Sequence, residues 1–157
     1  MAFTKTLTKE QALQKLRQFC AYQERCHQEV KDKLYSYGLH QQQVEESISQ
    51  LIEEDYLNEE RFAKQYAGGK FRMKQWGKVK ITYELKLKKV SAYCIKKALK
   101  ELPDDDYFAT LQQLATTKWN NLKGEKNRFV KMKKTQDYLL QKGYEAEWVR
   151  EQLQKLS

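Results

Sequence analysis

Aliphatic residues recur at fixed distances from three turn positions, Gly38, Lys89 and Gly143. One aliphatic residue stands four positions before each turn, and others stand six, ten and thirteen positions after it. Because steps of three and four residues bring side chains to one face of a helix, each copy of the pattern is predicted to end in an amphipathic helix. In chain order the aliphatic residues are Leu34, Val44, Ile48 and Leu51, then Leu85, Ile95, Leu99 and Leu102, then Leu139, Val149, Leu153 and Leu156.

Each copy also has a predicted middle helix, which carries the residue before the turn, and a first helix upstream of it. The first helices open with suitable caps: Thr8 pairs with Gln11 as a capping box, Asn58 precedes two glutamates, and acidic residues follow Pro103. The pattern therefore predicts nine helices. The first helices are expected near residues 8–22, 58–74 and 104–121.

The nine helices are expected to form three tandem three-helix repeats of an all-α protein, at residues 1–55, 56–103 and 104–157. A single proline and six glycines leave few residues for the turns of a β-sandwich or barrel. One copy alone buries little apolar surface, so the copies are expected to stack into an elongated, curved, solenoid-like array. A compact bundle is the alternative.

The middle copy departs from the pattern in three places. Lys89 occupies the turn where the other copies have glycine, and a left-handed backbone there would cost a lysine about 1 kcal/mol. The middle helix around Ile81 and Leu85 has apolar residues on two sides, which predicts that it is clamped between neighbours. Gly68 and Gly69 inside the first helix predict close packing or an early helix end, with a flexible joint as the alternative.

Composition argues against several classes of protein. Three scattered cysteines, Cys20, Cys26 and Cys94, and two histidines cannot build an ordinary structural zinc site. The odd number of thiols and the short, polar start from Met1 to Lys5 indicate the reducing cytoplasm rather than secretion. No apolar run approaches the roughly 18 residues that span a bilayer. We therefore expect a cytoplasmic protein with no membrane contact and no metal site; that it is a monomer is a separate expectation.

Positive charge is concentrated in the middle of the chain, although the whole chain has a formal net charge of +9. Residues 1–63 hold eight basic and eleven acidic side chains, residues 64–100 hold twelve and one, and residues 101–157 hold ten and nine. A surface that serves only solubility usually mixes both signs. The imbalance therefore favours an acidic partner, such as nucleic acid or an acidic protein groove.

The densest part of this basic stretch surrounds a break at Gly77. Its cations are interleaved with Phe71 and Trp76, whose rings would be available for stacking beside a phosphate backbone. A solubilising surface with its aromatic residues in the core is the alternative. The candidate binding residues are Lys64, Lys70, Arg72, Lys74, Trp76, Lys78 and Lys80.

No arrangement of residues typical of an enzyme is present. The chain has no glycine-rich phosphate loop, no Ser/His/Asp set and no zinc-hydrolase helix. Acidic runs such as residues 53–55 and 104–106 are explained by helix faces and caps. An enzyme is therefore not expected, and a metal-dependent nuclease is the least favoured alternative.

One octapeptide, YLNEERFA at residues 56–63, resembles the signature of the RecX family, regulators of the bacterial recombinase RecA. The resemblance extends from about Leu13 to the C-terminus. Lys89 stands where the family usually has glycine, and Lys70 and Lys80 stand where arginine is common. The further matching residues are Arg25, Glu29, Leu34 and Gly38 in the first repeat and Lys70, Arg72, Lys74, Gly77, Lys80, Ile81, Glu84 and Leu85 in the second.

The resemblance implies a curved molecule of three three-helix repeats that lies in the groove of the RecA filament on DNA. Such a protein would limit filament growth and restrain strand exchange and the coprotease activity that triggers the SOS response. The implied partners are the RecA filament and single- and double-stranded DNA, and no cofactor is implied. The alternative is a stand-alone helix-turn-helix DNA-binding protein, since three short helices can imitate that motif.

Overall fold

The computed structural model of the protein describes residues 6–157. The prediction about a secretion signal at Met1 to Lys5 lies outside these residues. The described chain forms nine α-helices and no strand, which confirms the all-α fold class. The helices are α1 (Lys9–Tyr22), α2 (His27–Ser36), α3 (Gln41–Glu53), α4 (Glu59–Lys74), α5 (Lys78–Leu87), α6 (Ala92–Lys100), α7 (Asp104–Asn121), α8 (Arg128–Lys142) and α9 (Ala146–Leu156).

The helices are grouped into two compact units. The first unit contains the chain up to Gln65 together with Leu85–Lys97, and the second contains Tyr66–Glu84 together with Ala98–Ser157. Helices α4, α5 and α6 therefore contribute residues to both units. The repeat boundaries proposed from the sequence stay predictions.

The core of the first unit is built from the predicted aliphatic positions. Leu34, Val44 and Leu51 are completely buried and belong to one hydrophobic cluster. The unit begins with the predicted capping box, in which Thr8 Oγ1 accepts a hydrogen bond from Gln11 N at 3.2 Å and Gln11 Oε1 accepts one from Thr8 N at 3.0 Å. Cap and periodicity therefore agree with the structure here.

An aromatic cluster around Tyr107 lies in the core of the second unit. The centroid of the Tyr107 ring is 5.8 Å from that of Phe71, 5.6 Å from that of Phe108 and 5.2 Å from that of Tyr144. Aromatic pairs at such distances add to the stability gained by burial. The same unit also buries Ile81, Leu111, Leu114, Leu139, Val149 and Leu153.

The backbone is left-handed at all three predicted turns. The φ angle is +87° at Gly38, +61° at Lys89 and +99° at Gly143. At the middle turn, Val90 N donates a hydrogen bond to Leu85 O at 3.1 Å, which closes the end of α5. The middle repeat therefore keeps the turn, and Lys89 bears the strain that glycine avoids.

Lys89→Gly is expected to raise the free energy of unfolding by about 0.5–1 kcal/mol, because glycine adopts the left-handed backbone without steric cost. Urea unfolding followed by circular dichroism measures the change. Lys86→Gly is the matched control, since it removes the same charge from an exposed position inside α5 and should cost about 1 kcal/mol. Equal destabilisation of both variants would mean that the turn carries no strain.

Helix α5 is buried along one face rather than two. Ile81 and Leu85 are completely buried, as predicted, but Val79, Tyr83 and Leu87 are 53%, 60% and 60% exposed. The prediction that α5 is clamped between neighbours is therefore wrong for the described part of the chain. Apolar residues on the second face had suggested burial, but isolated apolar side chains are common on protein surfaces.

Helix α4 runs without interruption through Gly68 and Gly69, so the helix does not end there. A Cβ atom at Gly68 would lie 2.7 Å from Arg72 Nη1, whereas one at Gly69 would meet nothing within 4 Å. The Arg72 guanidinium is the end of a flexible side chain and can move aside, so close packing does not require glycine at Gly68, and nothing near Gly69 requires it there.

Candidate functional site

The predicted binding residues lie around the connection between α4 and α5. We call residues 70–80 the basic segment; it contains the end of α4, the loop 75–77 and the start of α5, and all of it belongs to the second unit. Lys64 is separate from this group, because it belongs to the first unit and its ammonium pairs with Glu60 at 3.3 Å. The other six candidates are in the basic segment: Lys70, Arg72, Lys74, Trp76, Lys78 and Lys80.

Backbone hydrogen bonds attach the basic segment to the end of α8. Gly77 N donates to Lys142 O at 2.8 Å, and Val79 N donates to Gly143 O at 2.9 Å. The start of α5 thus receives two carbonyls from the end of α8, and both helix ends satisfy groups that would otherwise lack partners. We call this contact the α8–α5 junction.

The junction requires glycine on both sides. A Cβ atom at Gly77 would lie 2.5 Å from Tyr144 N and closer still to the Gly143 carbonyl group. A Cβ atom at Gly143 would lie 2.7 Å from Lys80 N, and its left-handed φ independently favours glycine. The break that the sequence places at Gly77 is therefore a site of close backbone approach.

Two buried tyrosines complete the attachment. The Tyr107 hydroxyl accepts a hydrogen bond from Lys78 N at 2.9 Å and donates one to the Glu145 carboxylate. The Tyr144 hydroxyl donates to Gln75 O at 2.9 Å. Burial, and for Tyr107 the bond to Glu145, raises the pKa of both phenols well above the usual range, so both hydroxyls remain donors at physiological pH.

In the basic segment, only side chains are available to bind an anion. The amides of Gly77, Lys78 and Val79 are all occupied by protein acceptors, so these groups cannot cradle a phosphate in the way that many helix N-termini do. The cations of the basic segment form no ion pair with a described carboxylate. An anionic partner would therefore be held by side-chain charge on a fixed backbone.

Trp76 lies between two of these cations. The Lys70 ammonium is 5.0 Å from the centroid of the Trp76 ring, and the Lys80 ammonium is 4.7 Å from it. Both distances are within the range of cation–π attraction, which holds the two charges near each other despite their repulsion. Phe71, by contrast, is only 6% exposed and packs against Tyr107, so the prediction that its ring is available for stacking is wrong.

Several residues that position the basic segment carry no signal in the sequence. Tyr107, Tyr144 and Glu145 act from another repeat, and the Lys142 ammonium donates to Lys74 O at 3.1 Å. The spacing of residues within a helix does not predict such contacts, because the partners are 29 to 69 residues apart along the chain. The unusual Gly77 was the one signal in the sequence that pointed to a close backbone contact.

The octapeptide YLNEERFA has a structural explanation within the first unit. Asn58 Oδ1 accepts a hydrogen bond from Arg61 N at 2.9 Å and so caps α4. The Arg61 guanidinium donates to the Glu24 carboxylate, and at 3.1 Å to both the side chain and the backbone carbonyl of Asp55. These bonds fasten the start of α4 to the loops before α2 and α4.

The described residues offer no group of three or more histidine, cysteine or acidic side chains that could hold a metal ion. Burial raises the pKa of the Cys20 and Cys26 thiols to about 11, so both are protonated at neutral pH. Cys94 is half-buried. In residues 6–157 no helix combines the length and apolar character needed to cross a membrane.

Two models of protein families match the chain. The one described as "RecX, second three-helix domain" matches residues 58–99, and the one described as "RecX, third three-helix domain" matches residues 104–153. The two matches together include more than half of the chain.

Relatives and solved structures agree with these matches. "Regulatory protein RecX" of Clostridium perfringens (strain SM101 / Type A) is 33% identical over 117 residues, which are 74% of this chain and 54% of the relative. "Regulatory protein RecX" of Prosthecochloris aestuarii is 27% identical over 138 residues, which are 88% of either chain. The chain spans about half the length of the Clostridium perfringens and Bacillus cytotoxicus relatives.

The chain also shares its architecture with a solved structure. The crystal structure of RecX from Lactobacillus salivarius has a TM-score of 0.85 and 25% sequence identity, and the match covers 94% of this chain and 96% of that one. The fold of the chain and its sequence therefore indicate the same family. The chain belongs to the RecX family.

Proposed function

We propose that the protein is an inhibitor of RecA that binds in the groove of the RecA–DNA filament through its basic segment. There it restrains filament growth, strand exchange and coprotease activity, and it acts as a cytoplasmic monomer without a cofactor. The observation that carries the proposal is the basic segment itself: cations without carboxylate partners on a backbone fixed by the α8–α5 junction. Membership of a family whose named relatives are regulatory proteins supports it.

The chemistry of the basic segment suits a filament made of protein and DNA. Lysine ammonium groups are point charges that donate hydrogen bonds to carboxylates and phosphates in many geometries, whereas arginine favours planar, bidentate contacts. Each phosphate that a lysine neutralises releases counterions and makes binding sensitive to salt. The fixed backbone reduces the entropy that the partner must supply, because only the side chains remain to be ordered.

The test is the triple variant Lys70→Glu, Lys74→Glu and Lys78→Glu, assayed for inhibition of RecA-dependent ATP hydrolysis on single-stranded DNA. Reversal of three charges should raise the concentration needed for half-inhibition by at least about tenfold, because attraction becomes repulsion at the contact. Glutamate at position 78 suits the N-terminal end of α5, so that change should not unfold the helix.

The matched control changes three exposed lysines of α6 instead. Lys96→Glu, Lys97→Glu and Lys100→Glu give the same net charge but leave the basic segment intact. This control should inhibit RecA as the native protein does, and cosedimentation with RecA filaments should show the same contrast. Full inhibition by the Lys70, Lys74 and Lys78 variant, with its thermal unfolding unchanged, would show that the basic segment is not the contact surface.

A gel-shift titration at two salt concentrations separates this function from that of a stand-alone DNA-binding protein. The proposed inhibitor should bind RecA–DNA filaments more tightly than it binds single-stranded or duplex DNA without RecA. Tight, sequence-selective binding of duplex DNA without RecA would instead favour the helix-turn-helix alternative.

A further inference from the structure

A second basic stretch lies in the third repeat of the sequence. Residues 118–142 contain eight basic and two acidic side chains, a net charge of +6. Both acids are already paired: Glu125 lies 3.7 Å from the Lys134 ammonium, and Asp137 lies 3.0 Å from that of Lys133. The cations that form no ion pair with a described carboxylate are Lys118, Lys123, Lys126, Arg128, Lys131 and Lys142.

Aromatic rings accompany these charges. The Lys131 ammonium is 4.3 Å from the centroid of the Trp119 ring, and the Lys118 ammonium is 5.2 Å from that of Tyr138. Phe129, in the first turn of α8, is 84% exposed. Proteins that hold single-stranded nucleic acid combine cations, which meet the phosphates, with aromatic rings, on which the bases stack.

A cleft of about 360 Å³ connects this stretch with the basic segment inside the second unit. The volume is within the usual range of small-molecule sites. Its lining is rich in amide and hydroxyl groups, contains one cation and has no carboxylate. The lining residues are Gln75, Gln113, Leu114, Thr117, Lys118, Asn121 and Tyr138.

The polar groups of the cleft are free to bind a ligand. Among the described residues, the side-chain amides of Gln75, Gln113 and Asn121 and the Tyr138 hydroxyl form no hydrogen bond with the protein. One wall is held in place, since Tyr144 bonds to the backbone carbonyl of Gln75. Unpaired amides on a positioned wall can recognise a group that has both donors and acceptors.

We propose that this cleft is a nucleobase site for single-stranded DNA. This inference rests on the proposed function and deepens it, because it states which part of the DNA the protein would read. The edge of a base carries adjacent donors and acceptors, which glutamine and asparagine amides complement, and Tyr138 offers a ring beside them. A phosphate or an acidic peptide would find a single cation in the lining.

Single-stranded rather than duplex DNA fits the cleft. A base can enter a pocket only when it leaves its stack, and this costs least when the strand is already unpaired. The neighbouring phosphates of the same strand would then lie near cations on both sides of the cleft, those of the basic segment and those of residues 118–142. Lys142 belongs to this border, since its ammonium donates to Lys74 O at 3.1 Å.

The experiment compares two short single-stranded oligonucleotides by fluorescence anisotropy, without RecA. One has a mixed sequence, and the other has the same length and backbone but no bases. The variant Gln113→Ala with Asn121→Ala should bind the base-bearing strand about tenfold more weakly than the native protein, since two hydrogen bonds are lost. Its affinity for the abasic strand should be unchanged.

The variant Gln112→Ala with Asn120→Ala is the matched control, because it makes the same two substitutions at exposed neighbours on α7 that do not line the cleft. It should bind both strands as the native protein does. Equal affinity of the native protein for the two strands, or preferential binding of duplex DNA, would overturn the proposal. Because RecA is absent, the result is independent of the inhibition assay, and either proposal can fail alone.

Discussion

Gly77→Ala is expected to lower the free energy of unfolding by about 3 kcal/mol, a large part of the stability of a small domain. The new methyl group would overlap the Gly143 carbonyl and Tyr144 N. These are backbone atoms, so a change of side-chain rotamer cannot relieve the overlap. The α8–α5 junction would have to open, and the hydrogen bond from Gly77 N to Lys142 O would be lost with it.

Urea unfolding monitored by circular dichroism measures this loss. Gly69→Ala is the control, because it adds the same methyl group in the middle of α4, where nothing lies within 4 Å. That change should stabilise the protein by about 0.5–1 kcal/mol, since alanine is the better helix former. If Gly77→Ala leaves the midpoint of unfolding unchanged, the backbones at the junction are further apart than described.

Tyr107→Phe is expected to cost about 2 kcal/mol, although it keeps the ring and its packing. Removal of the hydroxyl leaves Lys78 N without an acceptor and the Glu145 carboxylate without a donor. The cost is mainly that of leaving these groups unpaired in a part-buried site. Since Lys78 is in the basic segment, the proposed inhibition of RecA should also weaken.

Thermal and urea unfolding of Tyr107→Phe give the loss of stability. Tyr83→Phe serves as the control, because its ring is 60% exposed and its hydroxyl bonds to no described group. This control should change the stability by less than about 0.5 kcal/mol. Similar behaviour of the two variants would mean that water replaces the Tyr107 hydroxyl without penalty.

The helices could be predicted closely because their signals are local. The first helix of the third repeat was expected at residues 104–121 and is observed at Asp104–Asn121. Caps and periodicity act within a few residues, so a single sequence contains them. The left-handed turn at Lys89 was also predictable, since the copies on either side have glycine at the same position.

The contacts that position the candidate site were not predictable in this way. The partners of Gly77 and Gln75 come from the end of α8 and from Tyr144, and sequence spacing gives no information on contacts of such long range. The burial of the aromatic residues in the basic segment was not predictable from the sequence either. Phe71 and Trp76 look alike in sequence, but only the fold decides that Phe71 is buried while Trp76 meets two ammonium groups.

The second basic stretch lies in a repeat whose total charge is close to zero. Residues 101–157 hold ten basic and nine acidic side chains, which suggests a neutral repeat. Five of the nine acids lie near helix starts, at residues 104–106 in α7 and at Glu145 and Glu147 around the start of α9, where they oppose the positive ends of the helices. Between these two groups the basic residues outnumber the acidic ones eight to two over residues 118–142.

At the α8–α5 junction, the residues that would contact a partner and the residues that hold them in place come from different parts of the chain. A chain that ended before Lys142 would keep every lysine of the basic segment and lose the carbonyls that fix its backbone. Loss of binding in such a truncated chain would therefore not locate the contact in the last repeat. In evolution, Gly77, Gly143 and Tyr144 should change together or not at all, even though none of them needs to touch the partner.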